Sequence, residues 1–254
     1  MAVSGTVAFT FFYWFHQKRT WPFRDAAFEE NATETGNLSF WTPEEELRKG
    51  YGKLPFPAEK GDCLPTAYYA VAACRNNSKF LFFVYTAPGN FEHQTILRSC
   101  LGNRHLSAYY RWTTVFFVGL SADYATGKRV EEEASQHGDV VLLPYVDTYR
   151  NLTYKFVYGI KWSIENCPFV TYIVKMDDDF AVNVSKVMDY LEAHLKPEKL
   201  EFHCYVHANA PVSRDRKSKW YLSEKECPKK KYPSYCGGGS IMFNARALRC
   251  LYNA

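Results

Sequence analysis

The sequence predicts an α/β protein built on one central, mostly parallel sheet flanked by helices. Two observations carry that expectation. Four short runs are apolar almost throughout and rich in β-branched and aromatic residues: FLFFVYTA (80–87), TTVFFVGL (113–120), DVVLLPY (139–145) and FVTYIVKM (169–176). A strand with one wet face alternates apolar and polar residues, whereas unbroken runs like these belong to strands covered on both faces. Segments with helical spacing lie between the runs, so strand and helix alternate along the chain.

Taken in order, residues 2–15 (AVSGTVAFTFFYWF) carry no charge and are followed by His16, Lys18 and Arg19. The run is shorter than the ~20 residues a bilayer-spanning helix needs. It reads as the apolar part of a signal peptide or the remnant of an anchor, with a buried aromatic strand as the alternative. Residues 20–78 hold Pro22, Pro43, Pro55, Pro57 and Pro65 and charge clusters such as EEELRKG, with little periodicity. That suits a stem-like lead-in. The expected organisation is therefore a targeting segment at 1–19, a stem at 20–78 and the folded domain at 79–254. Within the domain, helices are expected at HQTILRSCL (93–101) and at KRVEEEASQHG (128–138), which Gly138 ends. The segment 152–167 places Phe156, Ile160, Ser163 and Ile164 on one face and stops at Pro168. The segment 183–195 does the same with Val184, Val187, Met188, Leu191 and Leu195.

Composition narrows the partners. Hydrophobic residues make up 47% of the 254 and the net charge is only +4, which argues against nucleic acid; the Lys229–Lys231 run reads as a solvated loop. Eight cysteines, none spaced C-x-x-C, weaken a zinc or thioredoxin reading. Together with N-x-[ST] sequons at Asn31, Asn37, Asn76, Asn151 and Asn183, they favour the secretory pathway, where disulfides persist and glycans are added. At least some of the cysteines are expected to pair.

The run FVTYIVKM leads straight into Asp177, Asp178 and Asp179. Adjacent like charges raise one another's pKa unless a cation or strong donors offset them. Strand alternation turns Lys175, Asp177 and Asp179 toward one side and Asp178 toward the other. Asp177 and Asp179 would then converge at the strand's carboxyl end, the ligand edge of such sheets. Oxygen donors with open positions suit Mn²⁺ or Mg²⁺ bridging carboxylate and phosphate oxygens. The plainer alternative is a solvated turn that caps the helix beginning near Val184.

The stretch HGDVVLLPYVDTYRNLTYKFVYGIKW…CPFVTYIVKMDDDFAVNV resembles glycosyltransferase family 31, the β-1,3-galactosyl- and N-acetylglucosaminyltransferases. APGNFEHQTILRSCLG upstream and KWYLSEKECPKKKYPSYCGGGSIMFNARAL downstream are similar to further motifs of that family, in order and with matching gaps, across residues 79–254. The resemblance implies a GT-A-like nucleotide-sugar-binding fold and an inverting transfer of galactose or N-acetylglucosamine. The donor would be UDP-galactose or UDP-N-acetylglucosamine, the cofactor Mn²⁺ or Mg²⁺, and the acceptor the 3-hydroxyl of a glycan. It implies a Golgi-lumenal, single-pass type II membrane protein, or a secreted form.

On the matching positions, Asp177 and Asp179 (a D-x-D pair) would hold the metal. Arg98, Asp147, Lys175, Asp177 and Asp178 would face the nucleotide diphosphate. Trp220, Tyr221, Gly237 and Gly238 would face the acceptor. Each has a plainer alternative: a surface helix for Arg98, a helix cap for Asp147, a partner to Asp177 for Lys175, core packing for Trp220 and Tyr221, and a tight turn for the glycines. The sequence departs from the family pattern at His93 and Gln94, at Cys100–Leu101 and at Phe180–Ala181. The family's general base follows the Tyr-Cys-x-Gly-Gly stretch, in a segment expected beyond Ala254, so the C-terminal part of the domain is expected to be incomplete and this chain to transfer sugar poorly. A fragment that binds nucleotide or glycan without turnover is the non-enzymatic alternative, and a metal-dependent phosphohydrolase lacks the extra ligands for a second metal.

Overall fold

The structure is a computed structural model. It describes residues 72–252 together with two-residue strands at 21–22 and 69–70. The predicted targeting segment at 1–19 and most of the predicted stem lie outside the described residues. In chain order the elements are β1 (Trp21–Pro22), β2 (Tyr69–Ala70), β3 (Phe80–Tyr85), α1 (Phe91–Leu101), α2 (Arg104–Tyr110), β4 (Trp112–Leu120) and α3 (Tyr124–His137). They continue with β5 (Val140–Val146), a 3₁₀ turn (Tyr149–Asn151), α4 (Leu152–Asn166), β6 (Tyr172–Asp177), α5 (Val184–His194), β7 (Glu201–His207), β8 (Tyr235–Asn244) and α6 (Ala245–Tyr252).

The strands form one sheet in the order β1-β7-β8-β6-β3-β4-β5-β2. Its centre, β6-β3-β4-β5, is parallel, and these are the four apolar runs of the sequence. β8 joins β6 antiparallel, β7 joins β8, and the two-residue strands pair with β7 and β5 at the edges. Each residue of β3 is buried: Phe80, Phe82 and Val84 enter one core cluster, and Leu81, Phe83 and Tyr85 enter the other. The first cluster is completed by Leu97 and Leu101 of α1, Val130 and Ala134 of α3, and Val184, Val187, Met188 and Leu191 of α5. The second is completed by Tyr158, Ile160 and Trp162 of α4 and by Ala247 and Leu248 of α6. Helices thus cover both faces, as the continuous apolar strands require.

Helix ends follow local chemistry. Asp123 caps α3 by accepting from the Thr126 amide, and Gly138 ends it in the left-handed region (φ 65°). Asn183 caps α5 by accepting from the Lys186 amide. The face of α4 differs from the expected stripe. Ile160 and Ser163 are buried as predicted, yet Phe156 and Ile164 are only partly covered, and the deepest residues include Lys155, Gly159 and Trp162. The cysteine expectation holds: Cys74 pairs with Cys167 and Cys204 with Cys236, with Cα–Cα distances of 5.4 and 5.6 Å. The first bridge ties residues just before β3 to the end of α4. Among the described residues no helix is long and apolar enough to cross a membrane.

Candidate functional site

From β3 the chain moves outward to β4 and β5, then crosses back through α4 to place β6 on the other side of β3. The connections therefore diverge between β3 and β6. In open parallel sheets such a divergence leaves a crevice beyond the carboxyl ends of the strands, where ligands bind. The three carboxylates stand there: Asp177 ends β6 opposite Tyr85, the last residue of β3.

The three carboxylates have three different environments. Asp177 lies on the same side as Lys175, whose Nζ donates to Asp177 Oδ1 at 2.6 Å and also to the Gly238 carbonyl. Burial pushes the Lys175 ammonium below its ordinary pKa, with Asp177 pulling the other way. Desolvation raises the Asp177 pKa; Lys175 opposes this, while Asp179 and Asp178 add to it. Asp178 turns toward β3 and α1. Its Oδ2 accepts from Thr86 Oγ1 at 2.6 Å and Asn90 Nδ2 at 2.8 Å, and His93 Nδ1 lies 3.4 Å from Oδ1. The N-terminal end of α1 adds a favourable dipole for this charge. Asp179 is exposed and takes part in no described hydrogen bond or ion pair.

A buried ion pair underlies this edge. Lys155 of α4 donates to Asp147 Oδ2 at 2.7 Å and to the Thr86 carbonyl at 2.6 Å, and Asp147 Oδ2 also accepts from the Gly119 amide at 3.2 Å. Gly119 is required here, because a Cβ at that position would meet Asp147 Cβ at 2.8 Å. Asp147 therefore anchors Lys155 rather than capping α4. The Tyr85 ring is flanked by the two ammonium groups, 4.1 Å from Lys175 Nζ and 5.8 Å from Lys155 Nζ.

The other predicted residues divide. Gly238 reaches the aspartates through the Lys175 bond to its carbonyl, and Gly237 precedes it in β8. Trp220 and Tyr221 lie on the 208–234 loop; Trp220 is 63% exposed and its Nε1 donates to the Tyr149 hydroxyl at 2.9 Å, just beyond β5. Arg98 stands apart. Its fork grips Asp139 through two 2.8 Å bonds, a third nitrogen binds Glu133 at 2.5 Å, and its guanidinium stacks 4.7 Å over Phe116. Gln94 links the two regions, lying between Thr86 Oγ1 and the Glu133 carboxylate.

Thr86, Asn90, Lys155 and Tyr85 were not singled out from the sequence. Lys155 was the most legible of them, since a lysine within a strongly apolar helix calls for a buried partner. The departures His93, Gln94 and Phe180 fall at the site itself.

The donor set fits a hard divalent cation. Asp177 keeps one oxygen outside any described bond, and Asp179 keeps both. Mn²⁺ or Mg²⁺ takes one or two carboxylates and fills its remaining positions with phosphate oxygens and water. Among the described residues no three His, Cys, Asp or Glu side chains close into a protein cage, so those remaining positions would fall to substrate and solvent.

A galactosyltransferase family model matches residues 92–254. β-1,3-Galactosyltransferase 2 of Pongo abelii and that of Homo sapiens are each 31% identical over 196 residues, covering 73% of this chain and 46% of theirs. β-1,3-Galactosyltransferase 1 of Mus musculus is 29% identical over 181 residues, covering 70% of this chain and 55% of its own. The chain thus spans about half the length of the curated relatives it matches. The family match covers well over half of this sequence and runs through α1, the parallel strands β4–β6, the three aspartates and the glycine stretch of β8. On that ground the chain belongs to the galactosyltransferase family.

Proposed function

We propose that the chain acts as a metal-dependent, inverting hexosyltransferase that uses a UDP-sugar. Galactose is the favoured donor sugar, from the names of the relatives, with N-acetylglucosamine the second. The acceptor is the 3-hydroxyl of a glycan, and the setting is the Golgi lumen, with the protein held as a single-pass type II membrane protein. The observation that carries the reading is Asp177 and Asp179 at the divergence of β3 and β6, with Lys175 joining Asp177 to the β8 glycines.

When bound, Mn²⁺ or Mg²⁺ would neutralise charge on the diphosphate as it leaves. The protein's own residues do the rest. Lys175 holds Asp177 in a fixed rotamer and brings positive charge to the same edge. Thr86 and Asn90 fix Asp178 against α1. Lys155 ties the end of β3 to Asp147, so the floor of the crevice is set before ligand arrives, which lowers the cost of binding. Attack on C1 in line, opposite the leaving nucleotide, requires the acceptor hydroxyl to give up its proton to a positioned base.

The test is a melting experiment with UDP, with and without Mn²⁺. A ligand that binds only the native state stabilises it by about 2.7 kcal/mol at a hundred times its dissociation constant. UDP should raise the melting temperature with Mn²⁺ present and not without it, and Asp179→Ala should abolish the shift. A UDP shift that is independent of metal, or one that survives in Asp179→Ala, overturns the proposal.

A further inference from the structure

Glycines 237 and 239 of β8 leave room for rings. A side chain at 237 would meet His207 Nε2 at 3.1 Å, and one at 239 would run into the ring of Phe180, the residue that follows the three aspartates. His207 stacks on Tyr235, with centroids 5.0 Å apart and planes 24° apart; Tyr205 meets His207 edge-on at 4.8 Å, and Tyr232 meets Tyr235 at 5.6 Å. Tyr205 and Tyr235 remain 54% and 41% exposed. β6 pairs with β8 as far as Met176–Ser240, whereas β7 and β8 pair again at Val206–Cys236 and His207–Tyr235. The two strands therefore project past the end of β6 as a wall beside Asp177. The Cys204–Cys236 disulfide cross-links that wall.

Tyr205 and Tyr235 are exposed while His207 and Tyr232 are half-buried against them; an isolated exposed tyrosine needs no explanation, whereas a contiguous set of rings open to solvent does. Each ring offers a π face with negative charge density, which suits the polarised C–H face of a pyranose. The tyrosine hydroxyls supply hydrogen bonds to sugar hydroxyls. Tyrosine also loses little conformational freedom on binding, and the cross-linked strands lose still less. The wall is continuous with the aspartate edge, because Gly238, next to Gly237, is the residue whose carbonyl Lys175 holds.

We propose that Tyr205, His207, Tyr232 and Tyr235 form a shelf that binds a pyranoside of the acceptor glycan and directs its hydroxyl toward the crevice. The assignment to the acceptor, rather than to the donor sugar, rests on the function proposed above. Tyr205, His207 and Tyr235 lie on the projecting strands and Tyr232 on the loop leading into β8, on the β8 side of the carboxylates that would hold the metal.

The experiment is saturation-transfer NMR on the full 254-residue chain with lactose and with N-acetyllactosamine, with UDP and diamagnetic Mg²⁺ present, alongside the UDP–Mn²⁺ melting shift. Tyr205→Ala and Tyr235→Ala should each weaken sugar binding by about three- to ten-fold and leave both the melting temperature and the UDP–Mn²⁺ shift in place. The control Tyr109→Ala removes a tyrosine that is 77% exposed on α2, and it should change nothing. The shelf is overturned if the Tyr205→Ala/Tyr235→Ala double variant binds sugar as the wild type does, or if the wild type shows no transfer to either sugar. Sugar binding that is lost in the variants of a protein showing no UDP–Mn²⁺ shift would uphold the shelf and sink the donor reading instead.

Discussion

Replacing Lys155 by methionine removes the cation beneath the candidate site and keeps the side chain's volume. Lys155 and Asp147 are only 2% and 6% exposed and meet at 2.7 Å. At an effective dielectric constant of about 20 their attraction is about 6 kcal/mol. Desolvating two ions costs several kcal/mol each, so the intact pair contributes about nothing net. Breaking it is a different matter. Lys155→Met leaves a buried carboxylate with one described donor, the Gly119 amide at 3.2 Å, a situation that typically costs about 3–5 kcal/mol. The Thr86 carbonyl also loses the 2.6 Å bond from Nζ, adding about 1 kcal/mol. Urea unfolding at neutral pH should therefore show a loss of about 4–6 kcal/mol. Adding Asp147→Asn removes the stranded charge and should recover at least half of that loss. A Lys155→Met loss below about 1 kcal/mol, or no recovery in the double variant, would refute the claim that this pair is a buried, mutually dependent unit.

Two further outcomes test the packing. Gly159→Ala gains about 1 kcal/mol of helix propensity, but the new methyl would press on Phe83, a fully buried ring 4.3 Å from the Phe117 centroid. Overpacking costs about 1–3 kcal/mol, so the variant should be destabilised, and the loss should vanish in a Phe83→Leu background; a stabilised single variant would contradict this. His203 is 4% exposed, its Nδ1 lies 3.0 Å from the Tyr190 hydroxyl, and burial lowers its pKa. The folded protein thus resists a proton that the unfolded chain accepts, so this stability is present above about pH 6.5 and declines as pH falls through the folded pKa. Thermal melts between pH 7.5 and 5 should show His203→Leu losing less stability on acidification than the wild type.

The elements legible in the sequence were those with a strong internal pattern. The unbroken apolar runs became β3, β4, β5 and β6, and the stripe from Val184 to Leu191 became the buried face of α5. Elements with a weak pattern were missed. Only Ser107 of the seven residues of α2 is buried, so that helix carries no stripe. β7 is an outer strand whose only fully covered residue is His203. α3 starts at Tyr124, four residues before the predicted Lys128, because Asp123 caps it. β6 starts at Tyr172 rather than Phe169, which is 67% exposed on the turn after Pro168.

The same division runs through the site. Strand alternation alone puts Lys175 and Asp177 on one side, because a strand's period of two is a local property of the backbone. The partners of Asp178 lie 92 and 88 positions away, at Thr86 and Asn90. They meet it only because β3 lies beside β6, a neighbour relation set by sheet order. Lys155 and Asp147 sit eight residues apart, yet whether they face a nucleotide or each other depends on how α4 packs over the sheet. The sequence by itself determined the hydrophobic layers, the carboxylates at the end of a buried strand and the family. Tertiary structure decided which charges are satisfied by protein and which, like Asp179, take part in no described hydrogen bond or ion pair, because pairing in a folded chain follows distance in space rather than along the backbone.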